Sequence, residues 1–596
     1  MFLRHTKRKK DGKEHRYWSI VESRRCAGGK VVQRPVLYLG EINDSQRESW
    51  CHVLEGFDQE SSQTRQMALF AWDRPIPAHA ADIGIGLRLK EFSLHRPRQW
   101  GACWLACELY NQLGLDAFWQ ERLADSREGT CWRHILQTLV CYRLIAPGSE
   151  WKLHRQWFEQ SAMGDLLGHD YALVEKNALY RVHDRLLSHK SALLSHLSTK
   201  WRDLFGARYE VLLYDLTSTY FEIDPPEAEH SKRRFGYSRD KRPDCVQVVI
   251  ALVVTEEGFP LAYEVLPGNT SDKTTLGAFL DKIETQYGKA QRIWIMDRGI
   301  PTEEVLGHMR QSDPPVCYLV GTPKARLNRY EADLLQEPWH NVREGIDVKL
   351  HSEDGELYVY ARSRDRVAKE RAMRLRQLRG LAGRLKDLES QKLCARELLL
   401  KLGEARERYR QAWRLFDFVL PEATSSKATA ASALFSFRLN RKKLRQARRR
   451  EGRYLLRSNL CGRDPAELWT FYLRLTEIEA AFKSLKDDLD LRPIYHKLES
   501  RIEAHIFISF LAYCLHVTLR ARLRPHAPGL TSRAVLDKFA ALQMLDVHFP
   551  TTDGRTLILS RYTQPEADLQ ILLQKLRLQL PEQPPPRLTS SALLLR

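Results

Sequence analysis

The sequence predicts an α/β protein built on one mixed β-sheet. A long insertion interrupts the sheet domain, and a β-hairpin and a helical region precede it. Three observations carry this reading. Between residues 205 and 321, short apolar runs rich in β-branched and aromatic residues give way to alternating strand and helix patterns. A further strand of the same grammar, GRYLLRSNL, returns only after about residue 452. The interval 322–451 between them changes composition and becomes rich in Arg and Leu.

At 596 residues the chain has room for about three or four domains of about 150 residues each. Residues 1–60 form the hairpin region: RYWSIVESRR, the turn-forming GGK, then VVQRPVLYLGEI. Residues 97–200 read as helices separated by Gly and Pro, with several basic faces suited to DNA. The first part of the core, 205–321, runs strand, strand, strand, helix, strand, helix, strand. Its strands are RYEVLLYDLT, CVQVVIALVVT, FPLAYEVLPG, QRIWIMD and VCYLVGT, and Ser271 or Asp272 is placed to cap the first helix. The insertion, 322–451, opens with a β portion (DVKLHSEDGELYVYARS) and continues as a long basic helical stretch from about 366 to 415. It closes with RLNRKKLRQARRR, whose density of cations suits phosphate contact. The second core part, 452–522, adds a strand and a long helix with Asp464 as N-cap and Pro465 as first helical residue. A C-terminal segment, 523–596, ends in a Pro-rich stretch, PEQPPP, expected to fray.

Composition narrows the class of function. The chain is 43% hydrophobic and 28% charged, an ordinary globular balance, and its formal net charge is +19. Such an excess of cations suits a polyanionic partner, nucleic acid first. Eleven scattered cysteines without a C-x-x-C pair give neither a disulfide nor a zinc framework and point to a reducing, cytoplasmic setting. The basic N-terminus lacks the apolar centre of a signal peptide, and the most apolar segment, 505–519, is too short to span a bilayer. No membrane role is expected.

Two strands run into aspartates. In VLLYDLTSTYF an apolar run meets Asp215, and in QRIWIMDRGIP another meets Asp297. A buried carboxylate is costly without a partner, so two at the carboxyl ends of strands suggest a shared site there. The plain alternative is that each Asp merely caps the next helix. A third acid, Glu479, lies on the helix FYLRLTEIEAAFKSLKDDLDLRP. At 100° per residue, Tyr472, Lys483 and Lys486 all fall within about 40° of Glu479. Glu477 points elsewhere. Three carboxylates suit a pair of hard divalent ions, Mg²⁺ or Mn²⁺, which together activate an attacking hydroxyl and stabilise a leaving oxygen. The two lysines would then hold phosphates beside the cut.

These residues resemble the bacterial insertion-sequence transposases of the DDE type, which have an RNase H-like core. The likeness lies in YDLTSTYF, in WIMDRGI, and in GYSRDKRPDCVQVVIALVVTEEGFPLAYEVLPGNTSD between them. It extends to a helix signature of Tyr, two residues, Arg, three residues, Glu, six residues, Lys. Tyr472, Glu479 and Lys486 match it in register, whereas the Arg position is Leu475. Arg474, adjacent, faces another way. The resemblance covers about 208–321 and 452–520, and the long insertion ahead of the Glu helix is similar too.

The resemblance implies that Asp215, Asp297 and Glu479 are the catalytic, metal-holding triad, and that Tyr472, Lys483 and Lys486 contact the transposon end. In the loop KRRFGYSRDKRPD, the cations Arg233, Arg234, Arg239, Lys241 and Arg242 are expected to meet DNA, while Asp240 and Asp244 read as loop charges. Arg298 is a further candidate for a phosphate. The expected activity is a transposase that recognises its element's terminal inverted repeats, frees a 3′-hydroxyl by hydrolysis and joins it to target DNA. Double-stranded DNA is the partner, and a homodimer in the DNA complex is expected from the need to bring two ends together. Two rivals remain at this level: an RNase H-like nuclease that cuts without joining, and a DNA-binding protein with a dead core. Strand-transfer products separate the first, and metal-dependent cleavage the second.

Overall fold

The computed structural model describes residues 2–10, 13–25, 31–41, 87–127, 129–226, 231–297, 299–322, 338–391, 393–420, 435–552 and 554–589. Its centre is a nine-stranded mixed sheet. Numbering all strands in chain order, β1 is Phe2–Lys10, β2 Lys13–Arg25, β3 Val31–Glu41 and β4 Ser93–Gln99. The core strands are β5 (Val211–Tyr220), β6 (Gln247–Thr255), β7 (Pro260–Pro267), β8 (Ile293–Met296) and β9 (Cys317–Thr322). They stand in the order β7-β6-β5-β8-β9, with β5, β6 and β7 antiparallel and β8 and β9 parallel to β5. This is the RNase H-like arrangement. It buries both faces of the sheet, which is why β6, QVVIALVVT, is apolar without alternation and buried at every position.

Alternate residues of each strand feed two cores. Leu212, Tyr214 and Leu216 of β5 join Trp294 and Met296 under the helices Leu276–Tyr287 and Glu303–Gln311. Leu213 faces the other way, into the larger cluster built by the N-terminal helices and by Glu499–His526. That last helix contains the apolar 505–519 segment. It is 28 residues long, enough to cross a membrane by length and composition, yet 94% of its most apolar window is buried inside the protein.

The insertion is partly continuous with the core. After β10 (His340–Arg343), the hairpin β11 (Ile346–Glu353) and β12 (Glu356–Ser363) adds to the central sheet through β15 (Arg453–Ser458), which pairs antiparallel with both β12 and β9. Ion pairs lock the join: buried Arg457 of β15 bonds buried Glu356 at 2.6 Å and the exposed Glu303 at 2.8 Å. The basic stretch expected as one long helix is two main ones, Arg364–Ser390 and Ala395–Arg408, which fold back on each other. Leu381, Leu385, Leu388, Leu398 and Leu402 give the pair a small core of its own. β13 (Phe416–Val419) and β14 (Ser436–Leu439) form a two-stranded ribbon beside it.

Other expectations change. The N-terminal hairpin is a three-stranded sheet, because the basic Phe2–Lys10 pairs with Lys13–Arg25. Its GGK turn lies outside the described residues. The described part of the C-terminal segment is paired rather than frayed: β16 (Gln543–Pro550), β17 (Thr556–Tyr562) and β18 (Arg587–Thr589) form a sheet with β4. The PEQPPP stretch is fastened by Gln583, whose side chain bonds the Tyr562 backbone at 3.0 and 2.9 Å, and by Arg561 donating to the Pro584 carbonyl.

Candidate active site

The parallel register of β5 and β8 brings the first two aspartates together. Val211 lies beside Ile293 and Tyr214 beside Met296, so the next step of the same register sets Asp215 beside Asp297. Adjacent strands are about 4.8 Å apart, and no further separation is needed for two carboxylates to share one ion. Asp215 does not, however, end its strand. β5 runs on to Tyr220 against β6, with Asp215 opposite Leu252, because Leu216, Thr217 and Thr219 continue a β-favouring buried run. What ends at Asp215 is the partnership with β8. Its Oδ1 accepts from the Leu216 backbone N–H at 2.8 Å. Burial pushes the Asp215 pKa up to about 7, against the pull of Arg239 and with Asp297 and Asp272 adding to the rise. A carboxyl in that condition asks for a cation.

The two-residue period of β5 puts Asp215 on the same face as Leu213, the face covered by the Glu479 helix. Leu475–Lys483 packs against β5 through a core that includes Ile478, Ala481 and Phe482, and Glu479 is exposed at its flank. Glu477 turns away, as its phase requires, and pairs with Arg520 at 3.2 Å and Arg524 at 3.6 Å. Leu475, at the signature's Arg position, is buried in the same core, and Arg474 pairs with Glu256 at 3.8 Å.

The helix is not a single rod with a uniform 100° step. Asp464 caps Pro465–Leu473 through a bond from the Ala466 N–H at 3.0 Å, with Pro465 at the first turn as expected. The chain then turns at Arg474, restarts at Leu475, and passes into a π-helical turn over Ser484–Asp488. Tyr472 and Lys486 therefore lie beyond phase breaks on either side of Glu479. Tyr472 is half-buried, its ring edge-on to Tyr454 at 5.9 Å and tilted against Trp469. Lys486 donates to Asp240 at 2.8 Å, in a pair only 10% and 7% exposed. Burial pulls the Lys486 pKa down, and Asp240 opposes that fall. Lys483 is exposed.

Asp240 is thus more than a loop charge. It joins the basic loop to the Glu helix by accepting from both Lys486 and Arg492. The loop's other cations are shared out among carboxylates. Arg239 pairs with Asp272, Arg242 with Asp244 at 2.9 Å and Glu222 at 2.7 Å, and Arg233 with Glu499 at 3.6 Å. Arg234 is exposed with its backbone bonded to Gln247, and Lys241 is exposed at a left-handed φ of 59°. Asp272 belongs beside the site through Arg239, whereas neither it nor Ser271 caps a helix by its side chain. Arg298 lies outside the described residues. Sequence reading missed Asp272 as a neighbour of Asp215, since only the fold of the loop joins residues 239 and 272.

The strand order of the central sheet defines the class of proteins with an RNase H-like core. The chain belongs to the DDE transposases: the model of the Transposase DDE domain family matches residues 207–515. The model of the IS1634 family transposase N-terminal domain matches residues 3–66. It is therefore a DDE-type transposase, an enzyme of DNA that depends on divalent metal as its family does. No match was found among the curated proteins. Among solved structures, a piggyBac transposase synaptic complex with hairpin DNA aligns over 73% of this chain and 76% of that one, at 8% identity and a TM-score of 0.33, too distant to carry an argument.

Proposed function

We propose that this transposase binds the terminal inverted repeats of an insertion sequence, cuts a phosphodiester at the element end, and joins the freed 3′-hydroxyl to target DNA. Asp215, Asp297 and Glu479 are the catalytic carboxylates in this reading, and they would hold two Mg²⁺ or Mn²⁺ ions. Such ions, when bound, supply Lewis-acid activation of the attacking oxygen and charge stabilisation of the leaving one. The observation that supports the reading is the β5–β8 register, whose continuation past Tyr214 and Met296 would bring Asp215 next to Asp297, with the Glu479 helix packed on β5. The oxygen-only donor set and the raised pKa of Asp215 fit a hard cation.

The chain's own residues divide the remaining work. Lys483 and Lys241, both exposed, would meet phosphates directly. Arg233, Arg239, Arg242 and Lys486 would reach DNA by exchanging their present carboxylate partners, and Arg234 and Arg298 complete the proposed set. Tyr472 adds ring packing to the end contact implied by the resemblance. A homodimer would hold the two ends, acting in the cytoplasm on chromosomal DNA. The test is a strand-transfer assay with a pre-nicked element end and a target plasmid. Joined products in Mg²⁺ support the reading; release of nicked ends without any joining reduces the protein to a nuclease.

A further inference from the structure

A second cluster of ligating side chains lies away from the strand-end carboxylates, where the N-terminal helical region meets the chain leaving the Glu479 helix. Glu150, His183, His496 and His505 each bring one ligand atom to within 4.8 Å of the others. Glu150, His183 and His505 are buried, and the His496 side chain is 9% exposed. Around a single carboxylate oxygen, Glu150 Oε1, stand His496 Nε2 at 3.2 Å, His183 Nε2 at 3.5 Å and His505 Nδ1 at 3.6 Å.

Hydrogen bonding accounts for only part of this arrangement: His496 Nε2 is within hydrogen-bond reach of Glu150, and His183 Nε2 is not so paired. His183 Nδ1 donates to the Leu179 carbonyl at 2.9 Å, which leaves Nε2 of the neutral ring with a lone pair. That buried nitrogen has no hydrogen-bond partner, and it faces a carboxylate. Two acceptors facing each other away from water need a cation between them. A protonated His183 would draw in to about 2.7–2.9 Å, the span of a charge-assisted bond, rather than stand at 3.5 Å. Arg143, buried nearby, donates to the Asp490 carbonyl instead. The three spacings from Glu150 Oε1, 3.2, 3.5 and 3.6 Å, match a metal site, since ligands about 2.0–2.1 Å from a tetrahedral ion lie about 3.3 Å from one another. The Nδ1 bond of His183 to a carbonyl is also the outer support that metal-bound imidazoles use.

We propose that Glu150, His183, His496 and His505 bind one zinc ion at a closed structural site. Three imidazoles and one carboxylate are a donor set that suits Zn²⁺ and not the hard ions proposed for Asp215, Asp297 and Glu479. The ion staples the 150–183 region to the 496–505 segment and so fixes the chain just beyond the Glu479 helix.

The full-length chain, produced with zinc supplied, is measured for metal content after exhaustive dialysis against Mg²⁺ buffer. The expected result is one zinc per chain, retained in Asp215→Asn and lost in His183→Asn and His505→Asn. Replacement by Co²⁺ gives the intense visible absorption of a tetrahedral site. Stripping with a strong chelator lowers the thermal midpoint, and added Zn²⁺ restores it. A wild-type chain that takes up no zinc overturns the proposal without reference to any variant. So do zinc content undiminished in both histidine variants and the weak spectrum of octahedral Co²⁺.

Discussion

Asp215 carries a cost that the metal-free protein cannot remove. Burial raises its pKa to about 7, far above the ordinary Asp value of about 3.9. Between those values the folded chain holds a proton that the unfolded chain has released, so this group lowers stability as pH rises from about 4 to about 7. Asp215→Asn removes this pH-dependent penalty. In a chelator, the variant is expected to melt above wild type at about pH 8 and together with it near pH 4. Mg²⁺ at the higher pH then raises the wild type and leaves the variant unmoved. A variant less stable than wild type at pH 8 would show that Arg239 already compensates the charge. The residue itself was legible in the sequence, as an acid in a buried run. Its place in mid-strand was not, because Thr217 and Thr219 continue the strand only by pairing with β6.

At the scale of elements, the loop of residues 232–244 is held by close backbone approach. A Cβ on Gly268 would come within 2.0 Å of the Gln247 carbonyl oxygen and 2.4 Å of that of Arg234. Gln247 also donates its side-chain N–H groups to the carbonyls of Tyr237 and Gly268. Gly268→Ala must therefore lift the loop and with it Arg239, Asp240 and Lys241. The expected cost is about 1–3 kcal/mol of stability, read by denaturant unfolding, with weaker binding to element-end DNA. Unchanged stability and binding would mean that the loop adapts freely. PGNTSD was readable as a turn, but contacts between positions 234, 247 and 268 depend on how strands return and leave no local pattern. The Glu helix shows the same limit. Its cap at Asp464 follows from local chemistry, whereas the break at Arg474 and the π turn after Lys483 come with packing on β5 and the Asp240 bridge. A uniform 100° step therefore turns Glu477 away from Glu479, as its ion pairs with Arg520 and Arg524 require, and places Lys486 only roughly.

For the whole molecule, the succession of strands and helices along the core was legible because each strand is a buried apolar run bounded by turns. The extension of the sheet by β11 and β12 was not, since a sequence does not show which edge an inserted hairpin will join. The Glu150–His505 cluster was equally hidden, its members being spread over more than three hundred positions. The net charge of +19 has a direct consequence for DNA binding. If about 6–10 phosphates are contacted, affinity for any duplex falls by about 10³–10⁵ between about 50 and 200 mM salt, as a filter-binding titration would read. A flat salt response would contradict a phosphate-tracking surface. The most direct test of the central claim is cleavage of a labelled duplex carrying the element end in Mg²⁺, comparing wild type with Glu479→Gln. Loss of an outer-shell partner at a metal site costs about 10–100-fold, so loss of a ligand should cost more than about 100-fold. The account predicts that wild type nicks the end while Glu479→Gln binds it equally well and falls short by at least that factor. Equal cutting by both proteins would make Glu479 an ordinary surface residue and contradict the assignment of the triad.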